Sequence, residues 1–128
     1  MKLSNNLSLS EVTKSNTAIR RGIDNTPTDL HIINLKYLAE KVFQPIREHF
    51  GSAIYVSSGY RSKELNEAIG GSKTSFHSHG MALDLDMDGR SNKITNADIF
   101  NYIKDNLPYS ELIWEFGTED NPNWVHVA

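Results

Sequence analysis

Two histidines and one carboxylate in the second half of the chain are residue types that hold catalytic zinc. His77 and Asp84 lie together in residues 75–84, Ser-Phe-His-Ser-His-Gly-Met-Ala-Leu-Asp, and His126 lies near the C-terminus in Trp-Val-His-Val. Two imidazoles and a carboxylate leave the fourth position of a tetrahedral zinc ion for water, whose pKa the metal lowers towards about 7. A His and an Asp separated by six residues are a common pair. Together with His126, however, they indicate zinc chemistry on a carbonyl substrate.

The segment between His77 and Asp84 has the features of a tight turn followed by a strand. Gly80 allows a sharp backbone turn because it has no Cβ. The residues after it alternate between apolar and acidic side chains, and the apolar set is Met81, Leu83, Leu85 and Met87. This period of two predicts a strand with one buried face and one face that bears Asp84. We expect the terminal strand of His126 to pair beside it, so that the three side chains converge.

The longest helical pattern forms the scaffold for these strands. It runs from Pro27 to Phe50, with Thr28 or Asp29 as N-cap, a kink or break at Pro45, and Gly51 as the C-terminal cap. Its predicted buried face consists of apolar residues near helical spacing: Leu30, Ile33, Tyr37, Leu38, Val42, Ile46 and Phe50.

Shorter elements complete the pattern. A short helix is predicted to start near Ser8, with Glu11 completing a capping box, and residues 20–27 are predicted to form an ordered loop. The remaining elements are strands at 53–58, 111–116 and 124–127 and helices at 62–69 and 95–106. The resulting order α, α, β, α, β, α, β, β predicts an α+β fold with a small, mainly antiparallel sheet and flanking helices.

The composition is that of a soluble globular chain. Its 128 residues suffice for one domain, residues 1–128, with 38% hydrophobic and 23% charged residues. A net charge of −3 does not favour nucleic acid, and no window nears the roughly 20 apolar residues of a membrane span. Cysteine is absent, so His, Asp or Glu must hold any metal. The N-terminus has no run of signal-peptide type, so we expect synthesis in the cytoplasm. We also expect a monomer.

Three blocks of the chain resemble the signatures of one enzyme family. Residues 75–84 are similar to the SxHxxGxAxD signature of zinc D-Ala-D-Ala carboxypeptidases and L-alanyl-D-glutamate endopeptidases. Residues 58–62 resemble the SGYRS block of that family, and residues 124–127 resemble its closing W-x-H block. The N-terminal part is similar to that of the small phage and prophage branch. The likeness covers nearly the whole chain in the right order, which makes it highly specific.

The resemblance implies a hedgehog-like fold and a zinc peptidase that cleaves peptidoglycan stem peptides. It implies His77, Asp84 and His126 as the metal ligands, and the signature favours His77 over the neighbouring His79. Arg61 then corresponds to the substrate-side cation that binds a carboxylate or stabilises a developing oxyanion, a role that suits a planar guanidinium. The branch further implies an endolysin-type enzyme that acts at the cell wall or in the periplasm after phage-mediated release.

The general base is where the sequence departs from many members of that family. They have Glu three residues before the last His ligand, whereas this chain has Asn123, which cannot accept a proton. We therefore predict Glu115, on the preceding strand, as the base that takes the water proton. Glu119 and Asp120 are the alternatives, because their loop is expected to lie beside the site.

The same residues also permit other functions. The departure at Asn123 leaves open a non-catalytic, zinc-containing module of the same fold that binds cell wall or belongs to a phage particle. A serine hydrolase is less favoured because GxSxG is absent. Residues 84–89 resemble the start of a calcium loop, but its twelfth position is Thr95 instead of the required Glu.

Overall fold

The structure is a computed structural model that describes residues 1–90 and 92–128. Its six strands, in chain order, are β1 Lys2–Ser4, β2 Leu7–Ser8, β3 Val56–Ser58, β4 Leu83–Leu85, β5 Leu112–Glu115 and β6 Trp124–Val127. Strands β1 and β2 form an antiparallel pair of their own. The other four form one sheet in the order β3-β4-β6-β5, in which each neighbouring pair is antiparallel.

The helices are short and capped by residues that the sequence supplies. They are α1 Leu9–Thr13, α2 Asn16–Arg21, α3 Asp29–Leu38, α4 Gln44–Phe50, α5 Lys63–Ala68 and α6 Asn96–Asn106. A π-helical segment, Ala39–Phe43, joins α3 to α4, and a 3₁₀ turn covers Phe76–His79. Ser62 and Thr95 each accept a hydrogen bond from a backbone N–H of the first turn of the helix that follows.

The two faces of the sheet have opposite character. The inward-facing residues of β4 and β6 are Leu83, Leu85, Val125 and Val127, each at most 1% exposed. They belong to one hydrophobic core that also includes the apolar sides of the α3–α4 helical segment and of α6. Because side chains alternate along a strand, Asp84 and His126 point to the other face. The predicted alternation around Asp84 is confirmed, except that Met81 is exposed and lies outside β4.

The α+β architecture with a small antiparallel sheet agrees with the prediction from the sequence. Thr28 caps α3 as expected, and Gly51 ends α4 in a left-handed conformation. The chain does not break at Pro45. The π-helical segment ends at Phe43, α4 begins at Gln44, and the proline lies in the first turn of α4. No helix in the described part of the chain is both long and apolar enough to cross a membrane.

The predicted buried face of the long helix is partly wrong. Leu30, Ile33 and Tyr37 are each more than 60% exposed, whereas Leu35 and Phe43 are buried. The reason is that α3 has apolar residues on two sides, so spacing alone does not show which side meets the core. The rest of the buried stripe is Leu38, Ala39, Val42 and Ile46.

The N-terminal region also differs from the prediction. The chain enters α1 through the β1–β2 pair, although the capping box of Ser8 and Glu11 forms as expected. The predicted loop at 20–27 begins inside α2, which ends at Arg21 and is capped by left-handed Gly22. Residues 2–8 contain no alternating run long enough to indicate a strand, which is why β1 and β2 were not predicted.

Candidate metal centre

The sheet register brings the first two predicted ligands together. Asp84 on β4 and His126 on β6 are direct cross-strand partners, so their side chains leave the same face side by side. His77 reaches them from the 3₁₀ turn that precedes β4. That turn ends at Gly80, with φ of +71°, and a Cβ there would lie 2.6 Å from the backbone oxygen of His31. Glycine is therefore required for the chain to turn from His77 into β4.

The three side chains form a group with the spacing of a metal site. Asp84 Oδ1 lies 3.2 Å from His77 Nε2 and 3.0 Å from His126 Nδ1. One potential ligand atom from each residue lies within 4.8 Å of the other two. Two atoms that each bind zinc at about 2.0–2.1 Å with tetrahedral geometry are about 3.3 Å apart. The N, N, O donor set therefore fits a small divalent metal ion.

His77 lies within this group, whereas His79 lies apart from it. His77 is only 2% exposed, and its Nδ1 lies 2.6 Å from the carbonyl oxygen of Gly59. A carbonyl only accepts hydrogen bonds, so Nδ1 carries the hydrogen and, in the neutral ring, the lone pair is on Nε2, facing Asp84. His79 is exposed, and its backbone oxygen accepts a hydrogen bond from Asn34.

Close backbone packing holds the acceptor of His77 in place. Gly59 follows β3, and a Cβ at this position would lie 2.5 Å from the backbone oxygen of Val12. The next residue, Tyr60, donates its backbone N–H to the same oxygen at 2.7 Å. The SGYRS block therefore fixes the carbonyl that orients His77, in addition to supplying Arg61.

The electrostatics of the group favour a charged carboxylate. Burial raises the pKa of Asp84, but its contacts with His126 and His77, whose rings donate to the carboxylate when they are protonated, outweigh the burial and bring the pKa to about 2. Burial lowers the pKa of His126, and its contacts with Asp84 and then Glu111 reverse the effect, so this pKa is raised overall. Asp84 is thus ionised at neutral pH and available as an anionic ligand.

Glu111 is a site residue that the sequence analysis missed. Its Oε1 lies 2.6 Å from His126 Nε2, on the side of the ring away from Asp84. Glu111 just precedes β5. Its backbone N–H donates to the oxygen of Ala128 and its oxygen accepts from the N–H of Ala128, so the pairing of β5 with β6 continues through these two residues. A usable signal was present in the sequence, because residues four apart in a strand share a face. If Glu115 lies beside the metal group, Glu111 is expected to lie there as well.

Glu115 lies on the same face of the sheet as Glu111, and its cross-strand partner on β6 is Trp124. It lines the cleft above the metal group, and no side-chain hydrogen bond holds its carboxylate within residues 1–90 and 92–128. Glu119 and Asp120, the alternative bases, lie in the exposed turn between β5 and β6 and do not line the cleft. The structure therefore favours the position of Glu115 over the positions of these two residues.

Arg61 lies in the wall of the cleft beside the metal group. Its backbone N–H donates to the backbone oxygen of His77 at 3.1 Å, which fixes the position of the Arg61 Cα. The Nε atom is buried, and the described residues give it no hydrogen-bond partner. Burial lowers the pKa of Arg61, while the charge of Asp84 raises it, and guanidinium stays charged in proteins. The site thus contains a half-buried cation whose buried Nε has no partner among the described residues.

These groups surround one open cleft of about 840 Å³. Its floor is the group of His77, Asp84 and His126, and its walls come from the loop after α5, the 3₁₀ turn and the β5–β6 hairpin. The lining residues outside the floor are Arg61, Ile69, Gly70, Gly71, Ser72, Thr74, Ser75, Phe76, Glu111, Glu115, Phe116 and Trp124. A cleft of this size admits an extended peptide.

The comparisons with known proteins agree with this geometry. The family model described as Peptidase M15 matches residues 5–128, which is nearly the whole chain. The comparison with curated proteins gives no match. M15 peptidases are metalloenzymes, and the His, Asp, His group at the floor of the cleft supplies the donors that such an enzyme needs. The chain therefore belongs to the M15 family of metallopeptidases.

Proposed function

We propose that this protein is a zinc peptidase that hydrolyses peptide bonds in the stem peptides of peptidoglycan. The bond is either the terminal D-Ala–D-Ala bond or an internal bond of the stem. The observation that carries the proposal is the convergence of His77, Asp84 and His126 at the floor of a cleft that also presents a half-buried cation, Arg61, and a carboxylate, Glu115.

The donor set supports zinc as the metal. Two imidazole nitrogens and one carboxylate oxygen suit a catalytic zinc site, whereas magnesium and calcium prefer oxygen ligands throughout. Zinc bound here would act as a Lewis acid on the scissile carbonyl and on water. Since the chain has no cysteine, a thiolate site for structural zinc is excluded.

Glu115 and Arg61 are proposed to act on the substrate from opposite walls of the cleft. Glu115 accepts a proton from the attacking water and delivers it to the leaving amine, which requires a carboxylate that no other side chain already occupies. Arg61 binds a carboxylate of the substrate, or the oxygen on which negative charge develops, through the N–H groups of its guanidinium. Stem peptides have carboxylates on their D-amino acids, which makes them suitable partners for this cation.

We test the proposal with wild type and Glu115→Gln together. Metal analysis gives the zinc content of each protein, and mass spectrometry of purified muropeptides gives the bond that is cut. We expect one zinc in both proteins and cleavage by wild type alone, with a loss of at least about 100-fold in the variant. Equal cleavage by both would move the base to another residue.

The competing function is a zinc-containing module that binds cell wall without cleaving it. Asn123, in place of the usual Glu, is the feature that favours it. Zinc binding by wild type without cleavage of any stem peptide would support this function and contradict the peptidase proposal.

We also propose action at the cell wall after phage-mediated release. In that case, expression in the cytoplasm leaves cells intact until the inner membrane is permeabilised. Lysis of intact cells by the protein alone, followed as loss of turbidity, would count against this route.

A further inference from the structure

We propose that Glu111 is a positioning residue that holds His126 in the orientation needed for metal binding. The inference rests on the proposed metal function of the site and adds a residue outside the ligand set. Its basis is the 2.6 Å contact between Glu111 Oε1 and His126 Nε2, on the opposite side of the ring from Asp84.

The two ring nitrogens of His126 have different partners, and the metal can use only one of them. Nδ1 faces Asp84 Oδ1, in the space that a shared ion would fill, so Nδ1 is the atom that must offer a lone pair. In the neutral ring, Nε2 then carries the hydrogen and donates it to Glu111. A carboxylate at this position selects that tautomer, fixes the plane of the ring and makes the ligand more basic.

His77 is oriented in the same way, but its two ring nitrogens have the opposite roles. Its Nδ1 donates to the backbone oxygen of Gly59, which leaves Nε2 to face Asp84. Both histidines therefore direct an N–H away from the metal position to a defined acceptor. The acceptor of His77 is part of the main chain and is buried, whereas that of His126 is a side chain that substitution can remove.

The strand register provides a matched comparison between Glu111 and Glu115. Ile113 is the direct cross-strand partner of His126, so the two glutamates lie two residues before and two residues after that pair. Both lie on the face of the metal group and both line the cleft. Of the two glutamates, only Glu111 contacts His126. The carboxylate of Glu111 is therefore occupied, whereas that of Glu115 remains free for the substrate.

The test is zinc affinity, measured by competition with a chromophoric chelator, for wild type and three variants. We expect Glu111→Ala to bind zinc about 10- to 100-fold more weakly, as is usual when the partner of a metal-binding histidine is removed. Glu111→Gln should recover part of the loss because its amide oxygen still accepts the N–H. Glu115→Ala should keep the wild-type affinity, although it should lose turnover.

A spectroscopic measurement separates positioning from loss of folding. The Nε2–H of His126 in the zinc-loaded protein should give an NMR signal protected from exchange with water in wild type and in Glu115→Ala. In Glu111→Ala this signal should exchange rapidly, while circular dichroism shows an unchanged fold. Because the Glu111 side chain is 41% exposed, its removal is not expected to disturb the core.

Three results would overturn the inference. If Glu111→Ala keeps wild-type zinc affinity and a protected His126 signal, Glu111 does not position the ligand. If it keeps affinity but loses turnover, Glu111 is the general base instead. If wild type itself binds no zinc, the proposed function fails with it, and that outcome is distinct from the first two.

Discussion

Asp84 Oδ1 and His126 Nδ1 lie 3.0 Å apart across two neighbouring antiparallel strands. The pairing of β4 with β6 places both side chains on the open face, and the residues on either side, Leu83 and Val127 among them, are buried in the core. A slip of one residue would turn the ligands inward and the core residues outward. The hydrophobic face of the sheet therefore determines the position of the metal group.

The low pKa of Asp84 makes the metal-free protein sensitive to acid. Its carboxylate has a pKa of about 2 in the folded state and 3.8 as the reference value. A lowered pKa adds stability that is present above pH 3.8 and is lost as the pH falls towards 2. We expect the carboxylate to contribute about 2 kcal/mol to the free energy of unfolding near pH 5.

Denaturant unfolding of the chelator-treated protein between pH 2 and 5 measures this contribution. Asp84→Asn should flatten the dependence on pH, whereas Asp88→Asn, at an exposed position on the following loop, should leave it unchanged. An Asp84→Asn profile that follows wild type throughout would show that the carboxylate is not stabilised by the two histidines.

Gly80 should tolerate no side chain, for two separable reasons. Alanine there must adopt φ of +71°, which costs about 1–2 kcal/mol, and its Cβ would also clash with the backbone of His31. Gly51 has φ of +60° with open space around it, so Gly51→Ala bears the first cost alone. We expect Gly80→Ala to lower the thermal midpoint further than Gly51→Ala and to weaken zinc binding. Equal midpoints would refute the clash.

Arg61 should affect substrate binding without affecting the metal. We expect Arg61→Ala to bind zinc normally but to lose about 10²- to 10³-fold in kcat/KM on stem peptides. Arg61→Lys should recover only part of this activity, because an ammonium lacks the planar pair of donors. Arg21→Ala, at an exposed position on α2, serves as the control. Undiminished kcat/KM in Arg61→Ala would exclude the proposed role.

Phe116 should contribute to substrate binding at some cost in backbone strain. It has φ of +52°, is 71% exposed, and its ring lies 5.4 Å from that of Trp124 at the rim of the cleft. In Phe116→Gly, relief of about 1–2 kcal/mol of strain is partly offset by about 0.5–1 kcal/mol of added chain entropy. We expect a thermal midpoint near or above that of wild type.

Phe116→Gly should also have a higher KM for stem peptides, because the substitution removes an exposed aromatic ring from the rim of the cleft. Phe116→Tyr keeps the ring and should keep the wild-type KM. If Phe116→Gly has an unchanged KM in steady-state assays, the ring does not contact the substrate.

The convergence of His77, Asp84 and His126 could be predicted from the sequence because these residues lie in segments with strong local signals. Alternation around Asp84 and the short C-terminal strand of His126 indicate strands, and Gly80 indicates the turn between His77 and β4. The pairing of the two strands was then expected, and the register of Asp84 with His126 agrees with it.

The features that were not predicted depend on tertiary contacts. The face of α3 that meets the core does not follow from the sequence of α3 alone, because Leu35, which is buried, and Ile33, which is exposed, are equally apolar. Glu111 contacts His126 only because β5 pairs with β6 in one particular register. Period-two alternation places Glu111 on the same face as Glu115, but the strand register decides which of the two carboxylates reaches His126.

The central claim is tested most directly by cleavage of purified muropeptides before and after removal of the metal. The zinc-loaded protein should release stem-peptide fragments of defined mass. Treatment with a chelator should abolish the release, and added zinc should restore it. A wild-type protein that binds one zinc ion yet releases no fragment, or that cleaves equally well after chelation, would contradict the assignment of this M15 protein as a zinc peptidoglycan peptidase.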